Sequence, residues 1–458
     1  MSLPKRFPDR AEISTVSAEA AALAAGAEGT TAHRLAGRIL GRRDLGKLVF
    51  ADLVDRTGRI QLLIRPDEVD VGNLDLGDIV GVSGVATKTR RGEPSLAVRE
   101  LVLLGKIRSP LPDTFHGITD PEVRYRRRYL DLLMNEESRR DATVRARMIT
   151  AIRAYLDAEG FVEVETPILQ PRYGGAFAEP FVTHSNYLGA DVYLRIADEL
   201  YLKRLIVGGL EKVYELSKDF RNEGVSYKHS PEFTQLEWYE AYADYRDTMD
   251  RAETLVSRAA EAAIAGTKVT FRGHEIDLAP PWERVRFSDA LEADGAWTRD
   301  PDELRAKLDA AGVDTGADKT WAQLVDHAYA HFVEPKLIQP TFVYDWPIET
   351  SPFARKTDDD PLLVERFECV VSGMEFANAF SELNDSNEQV ERFEMQAAER
   401  AAGATETEEG DPDFVEAMSY GMPPTGGIGI GMDRLAMVLT GRDAIRDVIL
   451  FPALRQQG

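Results

Sequence analysis

The 458 residues are 43% hydrophobic and 29% charged, which suits a soluble globular chain of about two to four domains, and no apolar run reaches the ~18 residues of a membrane span. A net charge of −23 argues against a nonspecific nucleic-acid coat, and a single cysteine, Cys369, excludes an intramolecular disulfide and a Cys-based zinc site. The opening MSLPKRFPDRAEIS lacks the apolar centre of a secretory signal, so a cytosolic protein is expected.

The charge is unevenly spread. Residues 1–110 hold 17 Lys and Arg against 14 Asp and Glu, a balance of +3, while the rest holds 38 against 64, a balance of −26. A segment spared the acidic excess suits contact with a polyanion, although a solubilising acidic surface elsewhere explains it equally. Within it, AEAAALAAGAEG reads as a short helix or arm ending near Gly26 and Gly29. Five β-type runs follow between 34 and 106: RLAGRILGRR, LVFADLVD, RIQLLI, DIVGVSGVATKT and SLAVRELVLL. Turn signals at Asp44–Leu45–Gly46, Arg56–Thr57–Gly58 and Arg91–Gly92 separate some of them. This spacing fits a closed barrel of the oligonucleotide-binding type and, equally, a generic five-stranded β domain.

Pro110, Pro112 and FHGI read as a linker leading into the basic, amphipathic EVRYRRRYLDLL. Val144, Met148, Ile149, Ile152, Tyr155 and Leu156 recur at helical spacing, predicting a helix over 136–159 that stops at Gly160. FVEVETPILQP then alternates like a strand. Residues 180–245 mix strands and short helices, 248–335 read as an inserted helical subdomain, and TETEEGDPDF from Thr405 as a solvated acidic loop. The chain closes on GGIGIGMDRLAMVLTGRDAIRDVILFP, a glycine-rich strand running into a helix. The order of elements predicts an α+β fold: a barrel at residues 1–108, a linker at 109–135 and a larger domain at 136–458.

Three segments carry polar groups where a core strand should carry apolar ones. After Arg221 and Glu223, strand alternation puts Phe233, Gln235, Glu237 and Tyr239 on one face. In MEFANAFSELND, Asn378, Phe380 and Glu382 share a strand face. Glu368 and Glu375 add hard oxygen ligands of the kind that suit Mg²⁺ beside phosphates. In Gly427–Ile428–Gly429–Ile430–Gly431–Met432–Asp433–Arg434, alternate glycines leave one face bare for a flat ligand, and Arg434 stands at a helix start, available for a phosphate. Solvent-facing polar residues and close strand packing explain each segment taken alone. Together, two arginines, two carboxylates, an aromatic plate and a glycine floor make a nucleoside-triphosphate site without a P-loop or Rossmann motif.

The helix followed by GFVEVETPIL, then FRNEG with HSPEFTQLEWY, then GIGIGMDR, resemble the three signature motifs of class II aminoacyl-tRNA synthetases. GGAFAEPF, YLRIADELYLKRL, AYADY, FSELND and IRDVILFP resemble the lysyl-tRNA synthetase family. The resemblance implies an N-terminal OB-fold anticodon-binding domain and a class II catalytic domain, an antiparallel sheet flanked by helices, paired as a homodimer through the first motif. It implies ATP-dependent activation of L-lysine and transfer to tRNA(Lys), with Mg²⁺ held by Glu368 and Glu375. Arg221 would contact the α-phosphate and the lysine carboxylate, Arg434 the γ-phosphate, and Phe233 the adenine, with Glu223, His229 and Gly431 nearby. Gly175 and Glu199 would meet the α-amino group, Asn378 the carboxylate, Phe380 the stem, and Tyr239, Glu382 and Glu237 the ε-ammonium. In the barrel, Phe50 and Gln61 resemble the residues that read the central anticodon base, with Arg38 and Glu100 as helpers.

The sequence departs from the family pattern in places. GNGF becomes Ala377–Asn378–Ala379–Phe380, adding two methyls expected to narrow the pocket, and ARPF becomes Ala178–Glu179–Pro180–Phe181. HNPEF becomes His229–Ser230–Pro231–Glu232–Phe233, and the N-terminal arm is short. These leave room for a paralogue that hands activated lysine, or an analogue, to a non-tRNA acceptor. A non-catalytic binding protein is the remaining alternative.

Overall fold

The computed structural model describes residues 3–112, 117–316, 318, 320–401 and 410–455, so the first half of the acidic loop and part of the FHGI stretch lie outside the described residues. It divides into two units, Met1–Asn135 and Glu136–Gly458.

In the first unit, helix α1 (Ile13–Ala22) precedes strands β1 (Glu28–Asp44), β2 (Val49–Val54), β3 (Arg59–Ile64), β4 (Ile79–Lys88) and β5 (Pro94–Gly105). The strands close into a barrel in the order β1-β2-β3-β5-β4. Alternation decides which way each residue faces: Val49, Ala51 and Leu53 point inward, while Phe50, Asp52 and Val54 point outward. Inside, Leu62, Ile64, Val80, Val82, Leu96 and Val98 pack with Ile13, Val16 and Ala20 of α1. A bulge between Ile39 and Gly41 helps the 17-residue β1 bend round the barrel and pair with both β2 and β4. Segment 109–135, expected to be a linker, instead carries α2 (Pro121–Arg126) and α3 (Arg128–Met134) and belongs to this unit. Asp120 caps α2, and Arg128 is buried against Asp131 at 2.6 Å.

The second unit starts with α4 (Glu136–Ala158) and four short strands, β6 (Val162–Glu163), β7 (Leu169–Gln170), β8 (Val182–Ser185) and β9 (Ala190–Leu194). The alternation in FVEVETPILQP therefore yields only two two-residue strands. Then come α5 (Glu199–Val207), β10 (Lys212–Phe220), β11 (Glu232–Ala241), α6 (Tyr245–Ile264), β12 (Lys268–Phe271), β13 (His274–Asp277) and β14 (Glu283–Arg286). Helices α7 (Phe287–Glu292), α8 (Pro301–Ala310) and α9 (Trp321–Ala328) precede β15 (Thr341–Pro347), β16 (Leu363–Val370) and β17 (Glu375–Ser381). The chain ends with α10 (Ser386–Ala401), α11 (Pro412–Ser419), β18 (Thr425–Gly431), α12 (Met432–Thr440) and α13 (Ile445–Val448).

One eight-stranded sheet, in the order β14-β15-β16-β17-β18-β11-β10-β6, organises this unit, and its interior pairings are antiparallel. One face packs on α4, α6 and α12 through Met148, Ile152, Leu255, Trp238, Ile428, Ile430 and Leu435. Each such buried aliphatic side chain contributes roughly 1.5–3 kcal/mol. The expected helical insertion over 248–335 is narrower than predicted. Helix α6 belongs to the main core and β14 extends the sheet, so the separate helical cluster runs from Phe287 to Val333. Helical periodicity alone cannot tell a helix on the central sheet from one on a side lobe. No helix among the described residues is long and apolar enough to cross a membrane.

Candidate functional site

The opposite face of this sheet is polar because the same alternation that buries one row exposes the next. Leu236, Trp238, Ala377, Ala379, Ile428 and Ile430 go to the core. Across the other face the register sets Glu237 opposite Gly429, Gly429 opposite Asn378, and Asn378 opposite Glu368. The adjoining row runs Tyr239, Gly427, Phe380, Arg366. A cavity of about 390 Å³ lies over these rows. It is lined by all fifteen residues expected in the catalytic domain: Gly175, Glu199, Arg221, Glu223, His229, Phe233, Glu237, Tyr239, Glu368, Glu375, Asn378, Phe380, Glu382, Gly431 and Arg434. The glycines of β18 are its floor. A Cβ on Gly427 would lie 2.1 Å from Glu382 Oε1, and one on Gly429 2.7 Å from Gln235 Nε2.

One end of the cavity gathers carboxylates. Glu237 accepts hydrogen bonds from the Tyr239 hydroxyl at 3.0 Å and from Gln235 at 2.8 Å. Burial, with the charges of Asp219 and Glu199, pushes its pKa well above the ordinary range. Glu382 is pushed up to about 8 by burial, which Lys203 opposes and Glu199 reinforces. Phe353, Phe380 and Tyr239 wall the cavity. Gly175 has φ +86°, and a Cβ there would sit 3.1 Å from that of Glu199, so this close approach favours glycine.

The other end carries the arginines. The Arg221 guanidinium lies 5.1 Å from the centre of the Phe233 ring, and its hydrogen bonds among the described residues are two long ones, 3.4 Å, to the Ile196 carbonyl. Arg434, in the first turn of α12, donates to Glu375 Oε2 at 2.9 Å. Burial disfavours the Glu375 carboxylate, but Arg434 outweighs it and its pKa lies below the usual value. Glu368 accepts from Arg366 at 2.6 Å, yet burial pushes it up to about 8 against that charge, and Glu375 pushes the same way. His229 is lowered to about 4 by burial and by Arg434 and Lys228, so its ring is neutral at pH 7. A second carboxylate group, Asp198, Asp219 and Glu237, brings oxygens within 4.8 Å of one another, apart from the expected Glu368–Glu375 pair. Arg195 serves it as counter-charge, 3.0 Å from Asp198, 3.4 Å from Asp219 and 2.7 Å from Glu215.

On the barrel, Phe50 and Gln61 share the outer surface of β2 and β3, where Asp52 faces Gln61. Arg38 and Glu100 have other partners. Arg38 donates to the Gly77 carbonyl at 2.7 Å, and Glu100 stands opposite Ser83 on β4. The structure instead brings Arg43, paired opposite Phe50, to 3.2 Å from Gln61 Oε1. Gln61 also donates to Ser95 at 2.9 Å, two residues from Glu93. The bulge in β1 and the parallel β3–β5 pairing make these neighbours, and neither is readable from spacing.

A model of class II tRNA synthetases (D, K and N) matches residues 120–455, and one of the OB-fold nucleic-acid-binding domain matches 33–104. The chain belongs to the class II tRNA synthetases. It is 51% identical over 433 residues to the lysine–tRNA ligase of Moorella thermoacetica, covering 92% of this chain and 88% of the relative. It is 48% identical to that of Pelotomaculum thermopropionicum (92% and 86%) and 46% identical to that of Dehalococcoides mccartyi strain CBDB1 (98% and 94%).

Within this class II site, three residues went unremarked in the sequence. Arg366 holds both Glu368 and Asn378, the latter at 3.1 Å, and the alternation Arg366–Glu368 on β16 was the available signal. Asp433 accepts from Arg145 and from the Thr234 amide, both at 2.7 Å, tying α12 to α4 and β11. Lys203 lies buried between Glu199 and Glu382. The methyls of Ala377 and Ala379 do not narrow the cavity as expected, because alternation turns them into the core. Glu179 is exposed, and its carbonyl accepts from the Asn222 amide at 2.7 Å.

Proposed function

We propose that this chain is a lysine–tRNA ligase, activating L-lysine with ATP to lysyl-adenylate and transferring the lysyl group to tRNA(Lys). One observation carries the reading. A single cavity has buried carboxylates between aromatic walls at one end and two arginines on a glycine floor at the other. An ammonium on a four-carbon stem needs the first end, and phosphates need the second.

In this reading Glu382, Tyr239 and Glu237 receive the ε-ammonium, Glu199 and the Gly175 backbone the α-ammonium, and Asn378 and Arg221 the carboxylate. Phe233 stacks on adenine, Glu223 and the neutral His229 lie beside it, and Arg434 takes the γ-phosphate. The lysine carboxylate attacks the α-phosphorus in line, and pyrophosphate leaves. The terminal ribose hydroxyl of tRNA then attacks the acyl carbon, and AMP leaves. No enzyme nucleophile is required, so catalysis is positioning and charge neutralisation by Arg221 and Arg434.

Glu368 and Glu375 fit a magnesium ion: they are hard oxygen donors lining the phosphate end, and Glu368 is raised to about 8 by burial, with Glu375 adding to it, a charge that a bound cation would relieve. Bound there, Mg²⁺ would neutralise phosphate charge. Phe50, Gln61 and Arg43 form the anticodon-reading surface, an aromatic platform with hydrogen-bonding neighbours. Exposed Val162, Ile168, Leu169 and Val182 around the first motif support a homodimer through that region. The cytosol is the matching location. The non-tRNA acceptor reading drew on several departures from the family pattern, and the inward-turned methyls of Ala377 and Ala379 remove one of them. A non-catalytic role sits poorly with the complete set of arginines and carboxylates in the cavity.

The test is Arg221→Ala. It should keep the fold and lose lysine-dependent ATP–pyrophosphate exchange by about 10²–10³-fold, the scale of one transition-state donor. Near-normal exchange would reject the assignment.

A further inference from the structure

The lysine end of the cavity contains a lysine of its own. Lys203 is fully buried, with Nζ 2.5 Å from Glu199 Oε1 and 2.5 Å from Glu382 Oε2. The i,i+4 spacing on α5 brings it onto Glu199, and Glu382 arrives from the end of β17. The ring of Phe353 lies 4.8 Å from the ammonium, and those of Tyr239 and Phe414 5.9 Å away. The second oxygen of each carboxylate faces a glycine that lines the cavity. Glu199 Oε2 is 3.7 Å from where a Gly175 Cβ would stand, and Glu382 Oε1 is 2.1 Å from that of Gly427.

The other ionisable groups around this trio are mostly acidic. Glu237 and Tyr239 face it from β11, Asp219 lies on β10, and Asp198 precedes α5. Arg195 answers Asp198 and Asp219, and Arg204 is occupied by Asp411 at the start of α11. Lys203 is therefore the cation that answers Glu199 and Glu382.

We propose that Lys203 is a positioning residue for substrate lysine: it fixes one oxygen of Glu199 and one of Glu382 and favours the ionised form of both carboxylates, so that their other oxygens meet the α- and ε-ammonium groups. This rests on the lysine reading of the cavity. A buried carboxylate without a counter-charge takes up a proton and offers a neutral acid where the substrate needs an anion. Lys203 thus sets the pH range over which the pocket binds the two ammonium groups of lysine.

The experiment measures KM for lysine and for ATP in pyrophosphate exchange between pH 6.5 and 9, for the parent, Lys203→Met, Lys203→Gln and Lys203→Arg. Losing the cation should displace carboxylate ionisation upward. At pH 7 Lys203→Met and Lys203→Gln should then raise KM for lysine about tenfold for each unit of displacement. The gap should close toward pH 9, KM for ATP should stay within about twofold, and Lys203→Arg should recover part of the loss. If Lys203→Met does not fold, Lys203→Gln carries the comparison. A loss equal at every pH, or shared equally by ATP, overturns the proposal and leaves Lys203 a packing residue. A parent enzyme without lysine-dependent exchange overturns the lysine reading itself.

Discussion

Gly427→Ala tests the glycine floor with one added methyl. Its Cβ would stand 2.1 Å from Glu382 Oε1 and 2.5 and 2.7 Å from two ring carbons of Tyr239. Carbon and oxygen in ordinary contact sit about 3.3–3.6 Å apart, so the carboxylate must retreat by more than about 1 Å. Its other oxygen is held by Lys203 at 2.5 Å, and Tyr239 is tied to Glu237 at 3.0 Å, so neither swings away freely. Overpacking of this kind costs about 1–3 kcal/mol, and a displacement near 1 Å at a positioned group costs about 10²-fold in rate. The variant should therefore fold, lose about 10² in kcat/KM for lysine, and keep its KM for ATP within about twofold. Gly266→Ala is the control, since nothing lies within 4 Å of its added Cβ. Steady-state exchange kinetics with each substrate varied in turn make the measurement. Parent-like lysine kinetics in Gly427→Ala would refute the reasoning that the bare strand face exists to admit the substrate.

Two further outcomes follow from the same geometry. Arg43→Ala should lower kcat/KM for tRNA charging by about tenfold or more, the scale of one base contact, with exchange untouched. Arg38→Ala, whose guanidinium serves the Gly77 carbonyl, should not separate charging from exchange; the opposite pattern would return Arg38 to the anticodon surface. Acid–base linkage gives the other. Glu382 stands at about 8 in the folded chain, whereas an unfolded glutamate titrates near 4.3. The folded state keeps a proton that the unfolded state releases, so this group's contribution makes stability fall as pH rises from about 5 to 8. Bound lysine favours the ionised form, so the rise in Tm on adding lysine should grow across that interval. Thermal unfolding with and without lysine checks this, and a shift that shrinks with rising pH would contradict it.

The sequence carried the chemistry of this site further than its architecture. Alternation on β11, β17 and β18 placed Glu237, Tyr239, Asn378, Phe380 and the glycines on one face, because a strand's period of two leaves no freedom once Trp238 and Ile428 are buried. The same rule, applied to Ala377 and Ala379, would have turned their methyls away from the pocket. What stayed hidden depends on contacts between distant segments. Lys203 looks like an ordinary helical lysine until Glu382 is brought beside it, 179 positions later. Arg43 becomes a neighbour of Gln61 through the pairing of β1 with β2 and of β2 with β3. Helix α6 reads as part of a side lobe until its apolar face meets α4 and the sheet.

The measurement that bears most directly on the central claim is ATP–pyrophosphate exchange with lysine, β-lysine, ornithine, aspartate and asparagine, followed by charging of bulk tRNA. The account predicts exchange with lysine well above the other four, because only lysine places ammonium groups at both Glu199 and Glu382, and it predicts charging of tRNA. Exchange driven by aspartate or asparagine, or none with lysine, would contradict the lysine pocket; lysine exchange without charging would contradict the assignment of tRNA as acceptor.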